Sequence, residues 1–471
     1  MAFNSTGASE IGSTDSRGVP VSYGDRSAIQ ALERAHECAL AFRGDAIALT
    51  EAVLAEHPGF VMAHILKAAW LTQAMETRIY SEMVRAVESA EALIDGANDR
   101  ERGHLEALNA WIHGDFFGAV QKWEAVLTHH PRDLLALQLV HLTDVLLGDV
   151  VGQRDVVARV FNLWDESVPG YEFVLGFYSF GLEENRDFFL AEEMGRQALA
   201  LRPDNPYAVH SVAHVMEMQG RQAGGIRFMA DHENRWGSSN FANHLWWHKA
   251  LFHLDIGDVD GVLAIYDNHL RSDDPTGSKY EELDAAALLW RMKLLDIDTG
   301  ERWKDLADKW EPSAQDTLYA FNDVHAMMTF VSDDRPEAQQ QLLTANERYV
   351  ESASDANVAM SREIGIPFCL AMQHFHKGRY GACVDQLLPV RYMSHRLGGS
   401  HAQRDILGWT LLEAALRARR FDLALGLANE RCALKPTSMQ NWIYVKRAFQ
   451  GLGDRTNAER AEARALSLKA A

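Results

Sequence analysis

A chain of 471 residues, 47% of them hydrophobic, can bury a sizeable core, either as two or three ordinary domains or as one long repeat array. Its 66 acidic residues against 46 basic ones leave a formal charge of −20, which repels polyanions and argues against nucleic acid and anionic membranes as partners. The four cysteines (Cys38, Cys369, Cys383 and Cys432) have neither CxxC nor zinc-finger spacing and read as buried, reduced thiols of a cytoplasmic protein.

Residues 1–26 are rich in Ser, Gly and Asp and lack the apolar run of a signal peptide. They read as a flexible N-terminal arm with a docking point near Val19 to Tyr23. From residue 27 to the end, helix patterns dominate and no run of alternating strands occurs. A small residue followed twelve positions later by proline recurs as Ala46/Pro58, Ala119/Pro131, Ala191/Pro203 and Ala424/Pro436. The first three alanines are spaced at about two tetratricopeptide units of ~34 residues each. Glycines in the preceding turns, Gly44, Gly114, Gly257 and Gly378, permit the left-handed residue that ends a helix. Each such hairpin exposes an apolar face that only a stacked neighbour can bury. The expected fold is all-α. It is a single right-handed α-solenoid of tetratricopeptide-like hairpins over residues 27–471, a dozen hairpins or fewer, curled around a central polar pocket.

Residues 134–147 are apolar but interrupted by Gln138, His141 and Asp144, as in a core helix rather than a membrane span. Three stretches resist the repeat pattern. Residues 221–242, with Gly224-Gly225 and a second glycine-serine cluster, read as a helix broken by a loop. Residues 271–280 read as a surface loop, and the polar residues 351–363 as another connection.

Rows of titratable residues on helical spacing mark the candidate site. Glu183 and Glu184 close an aromatic stretch and read either as carboxylates in a cavity or as solvated charges. His210, His214 and Glu217 share one helix face. Two imidazoles one turn apart can grip one metal or one substrate, with the carboxylate orienting them; half-buried histidines bonded to backbone carbonyls are the plainer reading. His244, Trp247 and His248 share another face, where tryptophan can wall a pocket, although packing between hairpins is the favoured reading of Trp246 and Trp247. His253 and Asp255 lie at a helix end, where His253 reads as a cap. Asn322 or Asp323 reads as an N-cap, putting His325 in the first turn, where the dipole favours its neutral form. Gly398-Gly399-Ser400 precede His401, Arg404 and Asp405. That sequence resembles an anion site at a helix start, with an Arg404–Asp405 pair between hairpins as the alternative. No GxGxxG after a strand, P-loop, GxSxG or HExxH is present, so no nucleotide cofactor motif is found.

At these same stretches the chain resembles the tetratricopeptide repeat protein 38 family. The matching segments are residues 176–183 (GFYSFGLE), 209–221 (VHSVAHVMEMQGR), 243–254 (NHLWWHKALFHL), 322–325 (NDVH) and 398–405 (GGSHAQRD). The resemblance runs from about residue 18 onward and implies a soluble helical-repeat protein without a firmly assigned reaction. The family's motif residues fall on Glu183, His210, His214, Glu217, His244, Trp247, His248, Asp323, His325, His401, Arg404 and Asp405.

Two functions compete. In the first, the protein is an enzyme acting on a small anionic or carbonyl substrate by isomerase, lyase or hydrolase chemistry. Its catalytic residues are His210, His214, Glu217, His248, Asp323 and His325, and Glu183, His244, Trp247, His401, Arg404 and Asp405 bind the substrate. A divalent metal (zinc, manganese or iron) on His210, His214 or His248 is a sub-case. In the second, the solenoid is a scaffold that holds a peptide or a partner protein in its concave groove; a homo-oligomer is a further expected partner. A polar network that merely fixes the register of the solenoid is the bland alternative.

Overall fold

The computed structural model describes residues 13–271 and 278–469. These residues form 25 α-helices and one short antiparallel pairing of Ser13–Thr14 with Pro20–Val21. Successive helices fold back on one another as twelve hairpins, from Arg26–Leu40 with Ala46–Glu56 to Met439–Leu452 with Arg455–Lys469. The turns are written in the sequence as glycine followed by aspartate. Gly44, Gly114 and Gly257 take positive φ. The next residue, Asp45, Asp115 or Asp258, then accepts a backbone N–H of the new helix, a cap contributing about 1 kcal/mol. Ala119, Ala191 and Ala424 are fully buried in second helices, and each marker proline stands two residues beyond its helix end. No helix among the described residues is long and apolar enough to cross a membrane.

The solenoid winds tightly enough that its second half rests on its first. Phe42 O accepts from Asn240 N at 2.7 Å, Gly114 O from Ala356 N at 3.0 Å and Val145 O from Gly399 N at 2.9 Å. Met75 O accepts from Asn322 Nδ2 at 3.0 Å, and Gln219 O from Thr437 Oγ1 at 2.8 Å. Backbone carbonyls at hairpin ends therefore find donors on the next superhelical turn. The inner faces of the two turns close on a shared polar centre.

Several expectations change. Residues 13–25 are docked over more than the expected point near Val19 to Tyr23. Val19 and Val21 are buried, and Tyr23 stacks on Phe60 with ring centroids 4.4 Å apart. Ser22 N donates to Glu101 at 3.0 Å and Arg100 Nη1 to Pro20 O at 3.1 Å, so apolar burial and satisfied backbone together hold the strap; residues 1–12 of the expected arm lie outside the described residues. Gly224 and Gly225 sit inside an unbroken helix, Gln222–Trp236, because a Cβ at Gly225 would strike the Phe252 ring. The break is confined to residues 237–241. Within residues 351–363, the helix Ala356–Met360 passes through a π-helical turn into Ile366–His376. Its buried Asn357 accepts from Ala320 N at 2.8 Å and donates to Thr317 O at 3.0 Å, which explains the polarity. Of the loop expected at 271–280, residues 272–277 lie outside the described residues.

The polar residues of the helix Leu134–Leu147 have separate explanations. Gln138 meets His36 Nε2 at 3.1 Å, and His141 Nε2 meets the Tyr207 hydroxyl at 2.8 Å. Asp144 is buried with Oδ2 unpartnered, and burial, with Asp149 beside it, raises its carboxyl to about 8. A folded-state value above the unfolded one contributes stability that is complete below the unfolded pKa and disappears as pH rises through about 8. Urea midpoints should therefore fall between pH 6 and pH 9. Asp144→Asn should remove that part of the slope and be the more stable form at pH 9 by about 1–2 kcal/mol. A variant that tracks the parent at both pH values would show that the carboxylate is hydrated.

Candidate functional site: a buried histidine and carboxylate cluster

Two consecutive inner helices carry four imidazoles. Pro206–Met218 is capped by Asn205, whose side chain accepts from Ala208 N, and opens on proline, the residue suited to a first helical position. Its spacing turns His210, His214 and Glu217 to one side. Ala242–Asp255 presents His244, Trp247 and His248 toward them. Ring centroids lie 4.4 Å apart for His210–His214 and His214–His248, 4.9 Å for His210–His244 and His210–His248, and 4.7 Å for His244–His248. His244 Nε2 is 3.1 Å from His210 Nε2 and 3.2 Å from His248 Nε2. All four side chains are buried. Burial and then the neighbouring imidazoles hold His210 and His248 well below the ordinary histidine range, so both stay neutral. Trp247, fully buried, stacks on His244 at 5.4 Å, and the Arg291 guanidinium covers it at 5.2 Å. Trp246 instead packs on His269, and His253 meets the capping Asp258 at 2.7 Å.

Carboxylates surround the imidazoles. Asp284, on Lys279–Leu294, meets His244 Nδ1 at 2.7 Å. Glu217 Oε2 lies 3.5 Å from His248 Nδ1, and its other oxygen accepts from Lys435 Nζ at 2.6 Å. Glu183 sits between two histidines, Oε2 at 3.2 Å from His214 Nδ1 and Oε1 at 2.7 Å from His401 Nε2. Burial would raise the Glu183 carboxyl, but His401 and His214 hold it below the usual range. Burial likewise opposes the His401 cation, yet Glu183 and Glu184 raise it to about 9. The His401 side chain is 21% exposed and Glu183 fully buried, so this chain of contacts leads from solvent to His214.

The anion expected at the 398–405 helix start belongs to the protein. Glu184 accepts from His401 N at 2.8 Å and from Arg404 Nη2 at 2.9 Å. Arg404 also donates to Gly399 O, so it is spent on the chain itself and is not free for a substrate. Asp405 does not pair with Arg404; it takes a bidentate contact from Arg431 at 2.6 and 2.8 Å. Asp323 and His325 stand apart from the cluster. Their helix begins at Ala320 rather than at Asn322 or Asp323, which puts His325 beyond the first turn. His325 Nδ1 donates to Phe321 O at 2.7 Å, and burial rather than the helix dipole lowers it to about 4. Asp323 is buried beside Asn346 and Cys369, and burial raises it to about 7. A further acid of the cluster, outside the residues expected from the sequence, is Asp284. Sequence reasoning missed it along with Arg291 and Lys435. Asp284 and Arg291 are isolated charges in the apolar run Leu283 to Met292, seven residues apart and so on one helix face, which is the signal that could have found them.

Several buried polar atoms of the cluster have no hydrogen-bond partner in the protein. They include Nε2 of His214, Nδ1 of His210 and of His248, and Oδ1 of Asp284. A network kept only to lock a fold is stable when every member is satisfied, and protein groups alone do not satisfy this one.

No family model matches the chain. Among solved structures it is similar to a human IFIT1 dimer with PPP-AAAA, at 14% identity over 87% of this chain and 91% of that chain, with a TM-score of 0.40. Yeast Tom70 (13%, 95% and 96%, 0.32) and Naa15/Naa10 bound to HypK-THB (12%, 95% and 70%, 0.27) are also similar. The stacked hairpins of this chain itself make it a helical-repeat protein with tetratricopeptide-like hairpins.

Proposed function

We propose that this protein is an enzyme performing acid–base chemistry on a small carbonyl-bearing molecule, of isomerase, lyase or hydrolase type, at the histidine–carboxylate cluster. Glu183 passes protons between the enclosed His214 and the solvent-reaching His401. One observation carries this reading: His214 is fully buried, its Nδ1 meets the Glu183 carboxylate at 3.2 Å, and its Nε2 has no hydrogen-bond partner in the protein. Burying such a group is costly, and a reacting molecule would complete it. With Arg404 occupied by Glu184, a requirement for an anionic substrate is dropped. The resemblance of five ordered motifs supports membership of the tetratricopeptide repeat protein 38 family. Four unpaired cysteines support a reducing, cytoplasmic setting.

The test is mass spectrometry of a soluble metabolite extract incubated with the protein or with Glu183→Gln. Metabolites consumed by the parent should persist at least ~10²-fold longer with the variant. Identical profiles for both proteins would rule the acid–base reading out.

A second reading, a scaffold for a peptide or partner protein, draws on an open groove of about 1030 Å³ between the docked strap at Pro20–Ser22, Asn98–Arg100 and His129–His130. A partner seated there would bind Glu183→Gln as tightly as the parent.

A further inference from the structure

We propose that His210, His244 and His248 bind one divalent transition-metal ion through their Nε2 atoms, zinc by preference, with its fourth coordination position facing His214. The inference shares the site of the acid–base reading and deepens it.

Spacing is the first support. Ligand nitrogens ~2.0–2.1 Å from a tetrahedral ion stand about 3.3 Å from one another. The two Nε2 separations about His244 are 3.1 and 3.2 Å. The donor atoms of all four histidines lie within 4.8 Å of one another.

Proton accounting is the second. His244 Nδ1 must donate to the Asp284 carboxylate, which can only accept. In the neutral ring this leaves Nε2 one lone pair facing two other Nε2 atoms, and a single acceptor cannot serve two donors well. Three lone pairs directed at one cation resolve the conflict.

The third support is what stands behind the rings. Metal-bound histidines usually give their second N–H to a carboxylate or carbonyl, which fixes tautomer and direction. Of the three ligands, His244 has a carboxylate at 2.7 Å from Nδ1 and His248 one at 3.5 Å, while Nδ1 of His210 has no partner in the protein; the non-ligand His214 meets Glu183 at 3.2 Å. Of these acids, Glu217 is paired with Lys435 and Glu183 with His401. Asp284 is fully buried, and Oδ1 has no partner. Arg291, two turns along the same helix, acts on Asp284 from a distance, and a dication behind His244 adds positive charge through the ring that Asp284 holds.

The donor set decides the class of ion. Neutral imidazoles suit zinc, copper, nickel and iron rather than magnesium or calcium. Nitrogens on two neighbouring helices at 3.1 and 3.2 Å stand near the tetrahedral separation, and an all-imidazole donor set is one that zinc takes readily. A three-histidine set with one position left over is the arrangement of catalytic rather than structural zinc. His214, backed by Glu183, is the group that a molecule at that position would meet.

The test is elemental analysis of the full chain, purified without tag or chelator, followed by Zn²⁺ and Co²⁺ titration of chelator-treated protein. The expected result is about one zinc per chain and Co²⁺ visible bands of a four-coordinate site. Asp284→Asn, which removes a positioning residue and no ligand, should bind ~10–100-fold more weakly. His244→Ala should lose the ion, and His214→Ala should keep it. Should His244→Ala fail to fold, Asp284→Asn decides. Protein that binds neither ion, or binds them equally with Asp284 and His244 replaced, overturns the site. Loss of the ion from His214→Ala overturns the open fourth position. Zinc bound without Glu183-dependent turnover removes the acid–base reading and leaves the metal site; turnover without zinc does the reverse.

Discussion

Glu184→Ala is expected to cost the chain about 3–5 kcal/mol of folding stability. The carboxylate is fully buried and serves Arg404, itself only 8% exposed, together with the backbone N–H of His401 at the start of the helix His401–Arg417. Removing it strands a buried guanidinium with Gly399 O as its remaining contact and removes a negative charge from a helix N-terminus. Ser400 continues to cap that helix through Gln403, so the loss comes from the unpaired arginine rather than from unwinding. Glu184→Gln keeps one acceptor oxygen and should fall between the two. The neighbouring Glu183→Gln should behave differently. Its partner His401 is a cation at neutral pH but can release its proton and reaches solvent, so function is lost and the stability cost should be smaller than for Glu184→Ala. Urea denaturation of the three variants checks this. If Glu184→Ala were as stable as the parent, Arg404 must reach water, and the seam between these two helices would be loose.

Hairpins and histidine faces were legible because both depend on neighbours within one helix or one turn. Gly44-Asp45, Gly114-Asp115 and Gly257-Asp258 state a left-handed residue followed by a cap. His210 with His214, and His244 with His248, follow from one helical turn. What stayed hidden lies between superhelical turns. Arg404 and Glu184 are 220 residues apart, and their meeting depends on the summed small rotations of the intervening repeats. A helix start with a free arginine looked like a site for a foreign anion, when another part of the chain was the anion. Asp323 and His325 misled for a related reason. They belong to the same run of resembling motifs as the clustered residues, but a helix beginning at Ala320 turns them into the core beside Asn346 and Phe321. Asp284 was overlooked because a lone acid among alanines and leucines gives no periodicity of its own.

Gly398→Ala should open the molecule at that seam. Gly398 has φ 84° and ψ −173°, a region only glycine adopts readily, and any other residue there is strained by about 1–3 kcal/mol. A Cβ would also be driven into Leu146 O and the Tyr319 hydroxyl. Tyrosine can swing aside, but a carbonyl at the end of Leu134–Leu147 cannot, and overpacking adds about 1–3 kcal/mol. The predicted response is a larger radius of gyration in small-angle scattering and faster amide exchange at residues 145–148 and 398–404. Gly378→Ala is the control. That glycine is also left-handed, at φ 69°, with nothing within 4 Å of the added carbon, so it should lose about 1–2 kcal/mol without a change of shape. The two halves of the cluster should then part company. His210, His244 and His248 lie on consecutive hairpins of one superhelical turn, whereas His401 reaches Glu183 from the next. Gly398→Ala protein should therefore retain zinc while losing turnover. Zinc and turnover lost together would mean that the second turn also holds the three histidines in place.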